Sequence, residues 1–308
     1  METILIFGAG VIGSTYGGLI AKSGYQVTMV ARNNRLDELR SNGLYLKRVN
    51  QKFPERVDVQ VVDETQLQGS FDYVIVALRS DQVMAALPTL SKITSRCFVF
   101  MVNNASGYDE WIEVLGVDRV LPAFPGAGGK IENGIVHYEI VSKLIQPTTL
   151  GELSGQITPR LKELGQILKI SGFQVAFSKN MDTWQKSHVA MVAPMAFVIY
   201  YDGGNNYSAS RSKDAVRQMN LALKECFSFL KRSGIGIEPY KLHVFLCLPQ
   251  FMLNIIMKFV YNTRWAETVI SNHALAAREE MEKICNDFLK LAHSKGYDLK
   301  EFKKLTNR

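Results

Sequence analysis

The chain has 308 residues, 47% hydrophobic and 21% charged, a composition that excludes a disordered or fibrous protein and leaves room for two domains. Its net charge of +7 is scattered rather than gathered in one block, which suits an anionic small ligand and argues against nucleic acid as a partner. The four cysteines, Cys97, Cys226, Cys247 and Cys285, form no C-x-x-C pair and have no histidine at zinc-ligand spacing, so no metal and the reduced thiols of a cytoplasmic protein are expected.

The run Met1–Phe7 is apolar but has no basic leader or cleavage site, so it does not read as a signal peptide. Thr3–Phe7 reads as a strand, Gly8-Ala9-Gly10-Val11-Ile12-Gly13 as a glycine turn, the stretch to about Ser23 as a helix and Gln26–Ala31 as a second strand. Strand, turn, helix and strand within about thirty residues make a βαβ unit. Asn34–Asn42 then reads as helix, Val57–Val62 as strand, Tyr73–Leu78 as strand, Asp81–Leu90 as helix and Cys97–Val102 as strand. Apolar strands alternating with helices predict a parallel sheet covered on both faces. Between Gly126 and Gly151, Gly134–Val141 and Lys143–Gln146 are expected to be strands finishing that sheet, followed by a helix at Thr158–Ser171 and a strand at Gln174–Phe177.

Beyond about Lys179 the strand signals stop. Asp182–Tyr201, Ser212–Ser233, Pro239–Tyr261 and Ala274–Ser294 read as helices, with glycine breaks at 203–204 and 234–236. The most apolar stretch, Leu242–Tyr261, contains His243, Pro249, Gln250, Asn254 and Lys258 and makes a poor membrane span. A buried helix pair broken near Pro249 is expected, the alternative being a membrane or partner surface. The fold class is therefore α/β, a Rossmann-type parallel-sheet domain over residues 1–180 followed by an all-helical domain over 181–308. A homodimer through the apolar C-terminal helices is compatible with this reading.

A G-x-G-x-x-G turn that ends a strand and opens a helix is the context of dinucleotide binding. The turn lets backbone approach a pyrophosphate, and the helix N-terminus faces the phosphates with its partial positive charge. Gly8, Gly10, Val11, Ile12 and Gly13 are thus the candidate pyrophosphate site. At the end of the second strand, where an acid would bind the ribose hydroxyls of NAD, stands Arg32, which suits a 2′-phosphate and points to NADP as NADPH. Arg79, just past the strand ending at Leu78, is a second phosphate candidate.

At this point the chain resembles the ketopantoate reductase (2-dehydropantoate 2-reductase) family. The resemblance is carried by Ile4–Gly13, Gly24–Arg32 with Ser41–Leu44, Asp72–Arg79, Val102–Ala105, Trp184–Lys186 and Arg278–Met281, with Phe288-Leu289 and Lys295-Gly296 downstream. It implies NADPH-dependent reduction of a 2-oxo acid to a 2-hydroxy acid, ketopantoate to pantoate or a related branched acid. It places Asn104 at an amide near nicotinamide and substrate, Lys186 at the catalytic lysine and Glu280 at the substrate-binding glutamate. In the family, asparagines stand four and eight residues beyond that lysine; here Ala190 and Pro194 do. The family serine twelve residues before the glutamate falls on Thr268, with Ser271, Asn272 and His273 close by, and Asn272 and His273 are the candidate substrate contacts. Phe124–Gly129 maps onto nothing in the family pattern.

The chemistry stands beside the resemblance. A 2-oxo acid needs a partner for its carboxylate, a donor for its ketone oxygen and a proton; Lys186, Asn104 and Glu280 are the residues offered. Each has a plainer alternative: an exposed helix-start lysine, an asparagine in a turn, an acid on a solvated face with Glu279 and Glu282. Two other functions stay open, an opine or β-hydroxyacid type dehydrogenase and a non-catalytic NADPH-binding sensor.

Overall fold

Ile4–Phe7 carry no polar side chain and are wholly buried, as a central strand between two helical layers requires. The computed structural model describes residues 2–306, the side chain of His273 excepted. Two compact units divide it. One comprises the chain up to Val102 together with Tyr108–Met181; the other takes Asn103–Gly107 and everything from Asp182.

In chain order the first unit carries β1 (Thr3–Phe7), α1 (Val11–Lys22), β2 (Gln26–Val30), α2 (Asn33–Asn42), β3 (Leu44–Arg48), β4 (Glu55–Val57), β5 (Gln60–Val62), β6 (Ser70–Phe71), β7 (Tyr73–Val76), α3 (Ser80–Leu90), β8 (Thr94–Ser95), β9 (Phe98–Met101), α4 (Asp109–Leu115), β10 (Val120–Phe124), β11 (Ala127–Glu132), β12 (Ile135–Ile140), β13 (Thr148–Leu150), α5 (Pro159–Ile170) and β14 (Val175–Phe177). The main sheet runs β14-β13-β10-β9-β7-β1-β2-β5. Every pairing in it is parallel except β10 with β13. The chain leaves β1 for β2 on one side and later returns to β7 on the other, so strand order reverses at β1. Ligands of such sheets sit beyond the carboxyl ends of the strands at that reversal.

Three expectations change here. Gly134–Val141 does not finish the main sheet: β12 belongs to a second sheet, β11-β12-β3-β4, in which β12 lies parallel to β3 with Ile135 opposite Tyr45. Lys143–Gln146 is a turn, with the Ile145 and Gln146 amides both donating to Ser142 O at 3.0 Å. Val57–Val62 is cut in two, one part in each sheet. The second sheet explains why α1 is buried from Gly13 to Ile20 without interruption. On one side a Cβ at Gly17 would lie 2.9 Å from Ile6 Cγ1 of the main sheet; on the other, a Cβ at Gly18 would lie 2.6 Å from Leu46 Cδ1 of the second. Phe124–Gly129 is the crossover between the sheets. Its Gly126 amide donates to Tyr16 Oη on α1 at 2.9 Å and to Thr148 Oγ1 at 3.2 Å.

The second unit carries α6 (Met181–Tyr201), α7 (Asn206–Arg211), α8 (Lys213–Arg232), α9 (Val244–Cys247), α10 (Gln250–Tyr261), α11 (Arg264–Ala266), α12 (Asn272–Ala276), α13 (Arg278–Ser294) and α14 (Lys300–Thr306). Its core is apolar and aromatic: Phe288 of α13 sits edge-on to Phe229 of α8 at 5.6 Å and to Phe302 of α14 at 6.2 Å. Tyr261 Oη donates to Met195 O at 2.6 Å, tying α10 to α6.

The break near Pro249 is present, with a 118° bend between Tyr240–Cys247 and Gln250–Tyr261. The pair is not buried as expected. On α10 only Leu253, Met257 and Tyr261 face the core, while Phe251, Met252, Ile255, Ile256 and Phe259 are exposed. Among the described residues no single helix is long and apolar enough to cross a membrane; this bent pair meets the length and composition requirement jointly.

Candidate functional site: a glycine cradle and an Asn–Glu pair

The glycine turn starts where β1 ends. Gly8 holds φ +112, a left-handed backbone, and a Cβ there would stand 2.6 Å from Ala77 O, just past β7. A Cβ at Gly13 would overlap Gly8 O. Gly10 differs, because a Cβ there would meet nothing within 4 Å. It is the N-cap of the twelve-residue α1, and no side chain caps that end. The first-turn amides of Val11, Ile12 and Gly13 therefore have no intrahelical acceptor and face a partial positive potential. A pyrophosphate fits this open, donor-rich cradle.

Arg35 sets the cradle's orientation. Its Nε donates to Ala9 O at 3.2 Å, its guanidinium reaches Ser14 Oγ at 3.3 Å, and Ser14 Oγ itself donates to Ala9 O at 3.0 Å. The peptide is planar and trans, so fixing Ala9 O on one side sends the Gly10 amide to the other. Arg35 also pairs with Glu38 and reaches Gly134 O, at 3.4 Å, in the turn of the β11–β12 hairpin. Sequence reading passed over Arg35. Its only signal is its place one helical turn beyond Arg32.

Arg32 is the N-cap of α2, directly beyond β2. It is half-exposed, pairs with Glu64 and lies 6.0 Å from the Phe7 ring centroid. Glu64 opens a short turn after β5, held by Asp63, which accepts from the Thr65 amide at 2.9 Å. Arg79 is the N-cap of α3, after β7, and pairs with Asp81 at 3.0 Å. Because β1, β2, β5 and β7 are parallel, the glycine turn, Arg32, Glu64 and Arg79 share the carboxyl edge of the sheet. A separate cavity of about 280 Å³ touches Thr3, Gln26 and Gln66–Phe71. It lies mostly at the opposite, amino ends of β1 and β2, away from this chemistry.

The remaining candidates lie in the helical unit. Asn104 is turned into its own loop: Nδ2 donates to Gly107 O at 2.6 Å, and Oδ1 accepts from the Ser106 amide at 2.9 Å. Its neighbour Asn103 reaches α13 instead, with Nδ2 donating to Glu280 Oε1 at 2.9 Å. Asn103 Oδ1 is buried with no hydrogen-bond partner among the described residues. Glu280 lies in the first turn of α13, where the helix dipole favours a carboxylate. It is 4% exposed, whereas Glu279 and Glu282 face solvent. Lys186 sits one turn into α6, mostly buried, in an ion pair with Asp182. Lys186, Ala190 and Pro194 are spaced i, i+4, i+8 on one face of that helix. Asn272 is exposed at the start of α12, and the side chain of His273 lies outside the described residues. Among the described residues no three His, Cys, Asp or Glu side chains are grouped to hold a metal ion.

Residues 4–155 match the family model described as Ketopantoate reductase PanE/ApbA. A 2-dehydropantoate 2-reductase of Pyrococcus horikoshii is 24% identical over 238 residues, 73% of this chain and 75% of the relative. An uncharacterized oxidoreductase of Bacillus subtilis, YkpB, is 23% identical over 241 residues, 76% and 77% of the two chains. Among solved structures, a ketopantoate reductase of the PanE/ApbA family from Ralstonia eutropha superposes with a TM-score of 0.79 at 18% identity, covering 99% of this chain and 96% of the other. A D-mandelate dehydrogenase, solved with NADH and anilino(oxo)acetate, reaches a TM-score of 0.80 at 14% identity with the same coverage. Glycine cradle, sheet order and family match agree over the first part of the chain: residues 4–155 carry a ketopantoate reductase domain of the PanE/ApbA type.

Proposed function

We propose that the chain reduces a branched 2-oxo acid to the 2-hydroxy acid with NADPH. The observation that supports this reading is that the helical unit holds both a part-buried Asn103–Glu280 hydrogen bond and a mostly buried lysine on α6. The cofactor supplies a hydride. Gly8, Gly10, Val11, Ile12 and Gly13 would hold its pyrophosphate, and Arg32 and Arg79 the phosphate at its adenosine end. Lys186 donates to the ketone oxygen and delivers the proton that completes the alcohol. Glu280 accepts from a substrate hydroxyl or amide and is oriented by Asn103. Asn104 shapes the loop that presents Asn103, and Asn272 and His273 remain the proposed contacts to the far end of the acid. The free thiols, three of the four buried, suit a reducing cytoplasm.

Ala190 and Pro194 narrow the substrate. The face of α6 that continues from Lys186 offers no amide to a substrate hydroxyl, and burying an unpaired hydroxyl is costly. Branched acids with apolar side chains are therefore favoured over ketopantoate itself. The test is NADPH oxidation against a panel of 2-oxo acids. The expected result is a kcat/KM for 3-methyl-2-oxobutanoate at least equal to that for ketopantoate. Turnover only after an amine is added would favour the opine type, and tight NADPH binding without turnover the sensor.

The exposed strip Phe251, Ile255, Phe259 with Met252 and Ile256 is interrupted by one charge, Lys258, and we assign it to a second copy of the chain. Light scattering on the eluting protein is expected to give twice the 34.6 kDa chain mass, and Phe259→Asp to halve it. Wild-type protein running as a single chain would refute the assignment.

A further inference from the structure

We propose that Glu64 tunes the cofactor preference of the glycine-turn site, competing with a 2′-phosphate for Arg32 so that the site also accepts NADH. The inference rests on the reading that this edge of the sheet binds a nicotinamide dinucleotide. It adds a specificity-determining residue that opposes the one already named.

The pairing of β5 with β2, Val62 opposite Val30, brings the turn after β5 beside the end of β2. Glu64 stands there with its two oxygens in different roles. Oε1 is enclosed and faces Arg32 Nε as an ion pair rather than as an aligned hydrogen bond. Oε2 accepts from Thr89 Oγ1 of α3 at 3.4 Å. The side chain of Glu64 is 23% exposed and that of Arg32 53%, so the carboxylate is the fixed inner partner and the guanidinium the outer one. The backbone beneath Glu64 is pinned by a reciprocal cap, in which Asp63 accepts from the Thr65 amide at 2.9 Å and Gln66 Oε1 accepts from the Asp63 amide at 3.1 Å. The carboxylate therefore has little freedom to leave when a ligand arrives.

A 2′-phosphate brings up to two negative charges to this guanidinium. With Glu64 in place, two anions share the Arg32 guanidinium, and the repulsion between them offsets part of the attraction. A ribose with free hydroxyls meets no such penalty, because hydroxyls donate to a carboxylate. Arg32 alone makes an NADP site. Arg32 with Glu64 makes a site in which the phosphate gains less than an unopposed arginine provides.

The experiment measures affinities of adenosine 2′,5′-bisphosphate and 5′-AMP by calorimetry on the whole chain, without turnover. Wild type is expected to prefer the bisphosphate by no more than about tenfold, and Glu64→Gln, which keeps the shape and removes the charge, to raise that preference by a further factor of about ten. Glu64→Ala serves in the same way should the glutamine variant misfold, with melting curves confirming the fold. An unchanged or reduced preference in a folded variant overturns the proposal. So does a wild type that prefers the bisphosphate by more than about a thousandfold. A wild type that binds neither nucleotide overturns the cofactor reading itself, and this inference with it.

Discussion

Lys186→Ala is expected to slow reduction of the 2-oxo acid by about 10²–10⁴-fold, the range general acid catalysis supplies. NADPH binding should stay within a factor of about three, because the glycine cradle lies in the other unit. Asp182 and Lys186 are one turn apart on α6, so their ion pair costs little order and presents the ammonium on the face continued by Ala190 and Pro194. Alanine is a strong helix former, so truncation removes the ammonium without breaking the helix. Single-turnover oxidation of NADPH separates the chemical step from binding and product release. Lys186→Arg keeps the charge but replaces a compact ammonium by a planar fork, so it should recover only a small part of the rate. Wild-type rates in the alanine variant would show that the proton comes from another group and overturn the role given to Lys186.

The half of the site made by local pattern was legible before any coordinates. A strand, three glycines and a helix are contiguous, and Gly8, Gly10 and Gly13 have the geometry that such spacing implies. What long-range pairing decides was not legible. Gly134–Val141 has the alternation of a strand, but nothing local says that its partner is Leu44–Arg48 rather than the edge of the main sheet. Lys143–Gln146 carries Leu144 and Ile145, yet it joins none of the sheets and Leu144 is 88% exposed in a turn. Val57–Val62 looks continuous until Asp58 and Val59 are needed to pass from one sheet to the other. Glu64 reads as an ordinary surface acid until β5 lies down on β2. The Asn103-Asn104 pair is the sharpest case. The resemblance names Asn104, and only the fold shows that Asn104 is spent on Gly107 while Asn103 reaches Glu280. On α10 the apolar residues cover all of the helix but the narrow stripe of Gln250, Asn254 and Lys258, so periodicity does not single out the face that meets the core. The structure leaves five of them outside.

The three glycines do different jobs, and alanine tells them apart. At Gly13 a methyl group would overlap the Gly8 carbonyl, which is backbone and has little room to yield. Gly13→Ala must push α1 away from the end of β1, at a cost on the order of 3 kcal/mol in stability, and dinucleotide affinity should fall with it. At Gly10 the added methyl meets no protein atom within 4 Å, and φ −72 suits any residue. Gly10→Ala should therefore cost less than about 1 kcal/mol, the usual scale for an N-cap change. The space the methyl enters is the space a pyrophosphate needs to reach the α1 amides. NADPH affinity should fall by about a hundredfold at nearly unchanged melting temperature, since small displacements of a bound group carry penalties of that size. Melting curves and calorimetry on the two variants read the two quantities separately. If Gly10→Ala binds NADPH as wild type does, the turn is a packing device and the cofactor lies elsewhere. If it loses affinity without losing stability, the emptiness around Gly10 is the imprint of the ligand.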